Sequence, residues 1–303
     1  METKLTEPVY MDKLVTVLTT TYNRVNTLTK LYKSLISQTD KRFKWVIVDD
    51  GSTDGTEDLI AAFSGIEIKY IKQNNSGKHV ALNTGIKIID SELTFIVDSD
   101  DYLTDDAIEL INRYWNKYEQ DKNKICGISF NRGYSKVDTI GDRLPFSEKI
   151  DNFINVRLRL NIQGDKAEVW RTECLKEYPF IEIEGEKFLG ETYVWWQLAM
   201  KYDMLFVNEI IYIGEYLEGG LTKSGRSLRV KNPIGGIKHY EIGLNKVFPL
   251  KFRLKHGILY TCYSFFAKYK LNEILKNTKY KVLVSISLLP GWILYKYWNK
   301  NYI

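Results

Sequence analysis

The sequence predicts an α/β protein: a mostly parallel sheet with helices on both faces, followed by a helical C-terminal section. Three observations predict it. Segments rich in β-branched residues alternate with segments of helical periodicity through the first 130 residues. Polar and acidic groups fall at the carboxyl ends of three of these strands, at 21–24, 49–50 and 98–101. The charge balance reverses near residue 221. Strand–helix alternation builds a parallel sheet because each crossover returns the chain to the same edge. Ligands of such sheets sit beyond the carboxyl ends of the strands, so the three loops are expected to share one site.

The elements follow in order. Residues 14–19 (Leu-Val-Thr-Val-Leu-Thr) form the first strand, and Asn26 is placed to cap a helix carrying Leu28, Leu31, Tyr32, Leu35 and Ile36 at helical spacing. Residues 43–48 are the second strand, ending at Asp49-Asp50-Gly51-Ser52. Thr53 or Asp54 caps a short helix that reaches Phe63, and 66–71 is the third strand. A helix over 79–89 with Val80, Ile86 and Ile89 on related faces leads to a fourth strand at 93–97. After the acids comes a helix from about Thr104 to Tyr118, with Asp101 or Thr104 as candidate cap. Residues 126–132 read as another strand, and 146–161 show no assignable pattern. Residues 191–202 form a helix with Val194, Trp195, Leu198 and Ala199 on its apolar face.

At 303 residues, 44% hydrophobic and 27% charged, the chain has the material for a sizeable core and is not of disordered composition. Cys126, Cys174 and Cys262 match no metal-ligand spacing and read as free thiols of a reducing, cytoplasmic setting. The first fifteen residues lack the apolar stretch of a secretory signal. No apolar run reaches the roughly 18 residues of a membrane span, and the nearest, 282–294, is interrupted by Pro290-Gly291.

The net charge of +5 hides an asymmetry. Residues 221–303 hold 16 lysines and arginines against Glu241 and Glu273, interleaved with 14 aromatic residues, while 1–220 hold 27 basic and 36 acidic residues. The expected division is therefore 1–220 and 221–303. Cations and aromatics together suit the surface of an anionic membrane, on its cytoplasmic face. Nucleic-acid binding uses the same residue types, but no recognition motif accompanies them and none is expected. A helical appendage with a solvated basic face is the plain alternative.

The chemistry is carried by the acids after the fourth strand. Asp98-Ser99-Asp100 supplies one or two carboxylates, which is how magnesium is usually held when phosphates complete its shell; manganese favours the same oxygen ligands. Alone, an acidic doublet after a strand is equally a turn or a helix cap.

Four motifs make the reading specific. Residues 15–24 (Val-Thr-Val-Leu-Thr-Thr-Thr-Tyr-Asn-Arg), 46–56 (Val-Ile-Val-Asp-Asp-Gly-Ser-Thr-Asp-Gly-Thr), 75–78 with 81–85 (Asn-Ser-Gly-Lys, then Ala-Leu-Asn-Thr-Gly) and 98–101 (Asp-Ser-Asp-Asp) resemble, in order and spacing, the family 2 glycosyltransferases. The resemblance is close over 14–104 and looser to about 220. It implies a Rossmann-like GT-A fold, with a nucleotide-binding half at 14–104 and an acceptor half at 105–220, and an inverting transfer from a nucleotide-sugar donor. By position, Thr20, Thr21 and Tyr22 would line the base, with the Tyr22 ring stacked on it, and Asp50 would accept from it. Arg24 either pairs with phosphate or lies in solvent. Asp49 orders the turn behind it, Lys78 would meet the diphosphate, and Asn83 supports that loop or touches the donor. Asp100 would bind the metal, Mn2+ or Mg2+, with Asp98 and Ser99 toward the ribose or donor sugar. Family members often have proline where Thr20 stands.

Inversion needs a base on the acceptor hydroxyl. Glu191, within Phe188-Leu189-Gly190-Glu191-Thr192-Tyr193, resembles the family's acidic motif before the acceptor helix, although Thr192 stands where many members have a second acid. Asp165, in Gly164-Asp165-Lys166-Ala167, is the competing carboxylate. Trp195 and Trp196 form a sugar-stacking wall or pack in the core. His239 and His256 match no ligand pattern and read as structural or surface histidines. The loop 219–224 resembles a late loop of bacterial surface-polysaccharide members, where glycines suit a mobile lid. The implied donor is a UDP-sugar and the implied acceptor a lipid-linked or growing surface glycan. Two other classes compete. A nucleotidyltransferase would carry a glycine-rich first loop, and 19–23 contain no glycine; a glycan- or membrane-binding scaffold would keep the fold without turnover.

Overall fold

A computed structural model describes residues 14–214 and 221–302. The first half alternates as expected. β1 (Val15–Thr21), α1 (Leu28–Ile36), β2 (Phe43–Asp49), α2 (Thr56–Ala61), β3 (Ile68–Lys72), α3 (Lys78–Ile88) and β4 (Leu93–Ile96) follow one another. Then come β5 (Tyr102–Leu103), α4 (Ala107–Lys117), β6 (Ile125–Gly133), β7 (Glu148–Asp151), a π-turn at Asn155–Arg159, β8 (Lys166–Arg171), α5 (Thr172–Glu177), α6 (Thr192–Ala199) and β9 (Asp203–Ile213). The C-terminal section is all helix: α7 (Leu221–Lys231), α8 (Pro233–Ile242), α9 (Leu250–Phe266), α10 (Leu271–Lys276) and α11 (Lys281–Tyr302).

One sheet runs β3-β2-β1-β4-β8-β6-β9-β5, with β7 also paired to β9. The β3-β2-β1-β4 half is parallel throughout. Beyond it β8 pairs antiparallel with β4 and β6, and β6 runs parallel to β9. Side chains alternate across a strand, so each strand feeds both faces. Val15, Val17, Trp45 and Ile47 join α1 and α4 in one core cluster. Leu18, Val46 and Val48 join α3, α5 and α6 in the other. A third cluster, with Tyr260, Tyr263, Val284 and Trp298 fully or nearly buried, belongs to the C-terminal helices.

Several local expectations are corrected. The residue preceding α1 is Thr27, not Asn26, and no side chain caps that helix; Thr27 and Leu28 instead donate their N–H groups to the Arg24 carbonyl. Gly55, at φ 85°, precedes α2, while Asp54 serves from one residue back, accepting from the Thr56 N–H at 3.1 Å and its hydroxyl at 2.5 Å. Neither Asp101 nor Thr104 caps α4, which follows Asp106 without a side-chain cap. The stretch 146–161 contains β7, and β8 and β9 are strands where the sequence shows no strand pattern. Pro290 does not interrupt the last helix: α11 continues through it for 22 residues. Gly291 there lies so close to α9 that a Cβ would stand 1.8 Å from the Thr261 hydroxyl. Among the described residues no helix is long and apolar enough to cross a membrane, and the three cysteines are buried and free.

Candidate active site

The carboxyl ends of β1, β2 and β4 meet as expected, and their own polar groups bind them together. Asn23, in the left-handed region at φ 52°, donates its N–H to the Ser52 hydroxyl at 2.9 Å and accepts from the Thr53 N–H at 2.9 Å. Asp49 is fully buried and orders the turn, taking the Ser52 N–H at 2.7 Å and the Tyr70 hydroxyl at 2.8 Å. Asp50, 4% exposed, accepts from Gln73 Nε2, the Ser76 N–H and the Gly77 N–H, each at 2.8 Å. On these contacts Asp50 anchors the 73–77 loop beneath the site. Above it Thr20 is half-buried, Thr21 is buried with its hydroxyl unpartnered, and the Tyr22 ring is 49% exposed.

The charged centre lies between β4 and α3. Lys78 opens α3, and its Nζ lies 2.5 Å from Asp98 Oδ1 and 2.6 Å from Glu191 Oε1. Burial opposes the cation, but Asp98 and Glu191 together hold the Lys78 pKa above the usual lysine range. Burial likewise works to raise Asp98, yet Lys78 and Arg132 hold it below the ordinary carboxylate range. Gly77 makes this approach possible. At φ 98° its backbone suits glycine, and a Cβ would stand 2.1 Å from the Lys187 carbonyl of the segment leading to Glu191. Ser99 is buried, and Asp100 is partly exposed with Oδ2 3.9 Å from Arg24. Arg24 therefore points at the acidic cluster.

Behind this centre lies a second layer of charge that the sequence did not announce. Arg132, at the end of β6, donates to Asp101 Oδ2 at 2.6 Å, and Tyr212 of β9 donates to the same oxygen at 2.8 Å. The Tyr212 oxygen also accepts the Asp98 N–H at 2.9 Å. Burial pushes Asp101 up to about 6 against the pull of Arg132. A cavity of about 40 Å³ opens here, lined by Asp98, Arg132, Lys166, Glu168, Glu191 and Trp195 among others. Burial raises Glu168 to about 7 and lowers Lys166 to about 8. The only sequence signal at Glu168 is a charge between the apolar Ala167 and Val169, and Arg132 stands only as another polar strand end. A larger hollow of about 610 Å³, between α1 and β5, includes Lys30, Lys33, Asp105 and Lys136 but none of the converging carboxylates. The chemistry belongs to the smaller space.

Other expected residues lie elsewhere in role. Asn83 donates to the Phe180 carbonyl at 2.8 Å and Glu182 Oε1 at 2.9 Å and accepts the Phe180 N–H at 2.9 Å, tying α3 to the 180–182 segment. Asp165 is exposed on the loop before β8. Trp195 stacks on Trp170 with centroids 4.3 Å apart, and Trp196 packs against Phe153, Phe248 and Phe252, so both rings serve the core. His239 is half-buried beside Gly190 and Thr192, and desolvation there lowers it to about 4. Of the loop 219–224, residues 219–220 and the side chains of 221–224 lie outside the described residues.

Among the described residues no three His, Cys, Asp or Glu side chains gather as a preformed metal cage. What the site offers is the partly exposed carboxylate of Asp100, 3.9 Å from Arg24, with Asp98 nearby but paired to Lys78. That donor set fits an oxygen-loving divalent ion that takes most of its ligands from a bound phosphate and water.

Residues 16–165 match the family described as Glycosyl transferase family 2. The chain is 31% identical over 229 residues to the glycosyltransferase GlyA of Streptococcus pneumoniae serotype 4, covering 73% of this chain but 31% of GlyA, so it spans about a third of that relative. It is also 31% identical over 232 residues to the glycosyltransferase GlyG of the same organism, covering 71% of this chain and 74% of GlyG. Among solved structures, residues 1–349 of S. aureus TarS in complex with UDP-GlcNAc align with a TM-score of 0.60 at 17% identity, over 94% of this chain and 91% of that one.

Proposed function

The chain belongs to glycosyl transferase family 2, and from that premise we propose that it transfers a sugar, with inversion, from a UDP-sugar to a growing or lipid-linked bacterial surface glycan. The observation that carries the reading is the meeting of Lys78, Asp98 and Glu191 within 2.6 Å at the strand ends, beside Asp100 and Arg24. A cation, an acid pair and a separate carboxylate on the acceptor side are the parts an inverting transfer uses.

The chain's own residues divide the work. The exposed Tyr22 ring stacks on the base, an aromatic contact with little ordering cost, with Thr20 and Thr21 beside it and Asp50 holding the loop that forms its floor. Arg24 and Lys78 meet the diphosphate at the N-terminus of α3, where backbone N–H groups favour an anion. Asp98 and Ser99 face the ribose or donor sugar. Asp100 holds a magnesium or manganese ion, which when bound offsets the charge of the diphosphate. Glu191 accepts the proton of the attacking hydroxyl; the alternative, Asp165, lies on an exposed loop.

The C-terminal section supports attachment to the cytoplasmic membrane surface. Val282, Ile286, Leu289 and Ile293 recur at helical spacing along α11 and are 78%, 64%, 66% and 56% exposed. The section's excess of lysine and arginine complements anionic headgroups.

Calorimetry with UDP and UDP-GlcNAc, with and without Mn2+, tests the donor reading. UDP should bind in the micromolar range with metal and at least 10-fold more weakly in chelator. Asp100→Ala should lose the metal dependence while melting normally. Metal-independent binding by the wild type would remove the role of Asp100, and no nucleotide binding at all would remove the donor reading.

A further inference from the structure

Lys78 has two carboxylate partners, and the reaction needs one of them free. Its Nζ stands 2.5 Å from Asp98 and 2.6 Å from Glu191, so a single ammonium bridges the donor-side acid and the acceptor-side acid. Asp98 has further support: the Tyr212 oxygen accepts its N–H at 2.9 Å. Glu191 has Lys78 as its sole ionic partner among the described residues. An oxygen held in an ion pair against an ammonium at that distance is not available to an incoming hydroxyl, and withdrawing its counter-charge is what makes it available.

We propose that Lys78 is a donor-operated latch on Glu191: it occupies that carboxylate in the donor-free protein and releases it when a nucleoside diphosphate becomes the counter-charge of the ammonium. The proposal rests on reading Glu191 as the base and the donor as a diphosphate. Its direction follows from charge. Lys78, Asp98 and Glu191 together carry one net negative charge, and a diphosphate brings about two more to the same helix N-terminus. The flexible lysine stem lets the ammonium turn toward the denser charge. Asp98 keeps the Tyr212 contact at its back, whereas Lys78 is the only ion-pair partner of Glu191 among the described residues, so Glu191 is the group set free. Lys78 is on this account a positioning residue. The consequence is an acceptor site that becomes basic only when a donor is present to react.

Carbodiimide labelling of Glu191 with a small amine, quantified by mass spectrometry, reads the latch directly, with UDP and Mn2+ as the probe. In the wild type, saturating UDP should raise the labelling rate of Glu191 about 5-fold or more. Lys78→Met, of similar length without charge, should label at that faster rate with no UDP, and UDP should add nothing. Lys78→Arg, which restores the cation, should return the protection. If calorimetry shows UDP binding but Glu191 labelling is unchanged or falls, the latch is wrong and the donor reading stands. If UDP does not bind, both fall. If Lys78→Met melts like the wild type and Glu191 stays protected, something other than Lys78 shields it, and the latch is again overturned.

Discussion

The carboxylate of Glu186 sits on the first turn of α8, accepting the N–H of Gly235 at 2.6 Å with one oxygen and that of Ile234 at 2.7 Å with the other. Nearby, Asn232 accepts the Lys187 N–H at 2.7 Å, and Lys187 Nζ reaches Asn75 at 2.9 Å. The segment leading to Glu191 is thus pinned between the C-terminal helices and the loop that Asp50 anchors. The basic C-terminal section is therefore tied to the segment that carries Glu191.

Glu186→Ala should therefore act at a distance. A carboxylate on two free N–H groups of a helix start contributes about 1–2 kcal/mol, so the variant should lose roughly that much stability in urea unfolding. It should also turn over several-fold more slowly while binding UDP unchanged, because the donor loops do not touch it. Weakened UDP binding with normal turnover would show that the pin serves the donor side.

Exposed apolar residues on α11 give the membrane reading a sharper test than deleting the helix. Gly291 abuts Thr261, Gly257 abuts Ser287, and Trp298 is buried, so truncation would uncover the C-terminal core. Replacing Ile286, Leu289 and Ile293 together with glutamate leaves those contacts in place. Sedimentation with vesicles containing anionic lipid should then fall at least 10-fold, and salt at about 0.5 M should weaken wild-type binding. Equal binding by the triple variant would leave α11 as an ordinary helix with an apolar face.

The parallel half of the fold was legible because its strands and helices each carry their own period. Val15 to Thr19 and Trp45 to Val48 read as strands, and Leu28, Leu31 and Leu35 as a helix, without knowledge of any partner. β8 hid because Lys166 and Glu168 face a charged cavity, so a strand of the sheet interior carries the residue types of a surface. β9 is long because it pairs with β6 on one side and with β7 and β5 on the other, and no local signal reports that. In the site, the loops at 21–24, 49–50 and 98–101 were found by the strand-end argument. The Lys78–Glu191 contact joins residues 113 positions apart, and Arg132 and Tyr212 acquire meaning only from the sheet order that brings β6 and β9 beside Asp101.

The assignment of the base separates two carboxylates by position. Glu191→Gln keeps the shape and most hydrogen bonds of the side chain but accepts no proton, so turnover should fall by roughly 100-fold or more with UDP affinity within about 3-fold. Asp165→Asn, on its exposed loop, should cost less than about 5-fold. Inactive Asp165→Asn beside a near-normal Glu191→Gln would move the base to Asp165 and leave Glu191 as a partner of Lys78 alone.

Glu168 gives the site a signature in stability that does not require a known acceptor. Burial holds its folded-state pKa at about 7, with Asp165 and Glu191 adding to the rise against Arg157 and Arg132, while the ordinary value is 4.5. Below about pH 4.5 the residue is protonated folded or unfolded and contributes no pH dependence. Between about 4.5 and 7 the unfolded chain gives up the proton that the folded chain keeps, so the folded state loses its advantage as pH rises, and above about 7 the loss is complete. The size of a shift of this kind is on the order of 3 kcal/mol. Glu168→Gln removes the titration without removing the side chain. The difference in unfolding free energy, variant minus wild type, should grow by about 3 kcal/mol in the variant's favour between pH 4.5 and pH 8 in urea titrations. A difference that stays constant across that range would mean that Glu168 is hydrated or paired in the folded protein, and that the cavity beside Glu191 is more open to water than its lining implies.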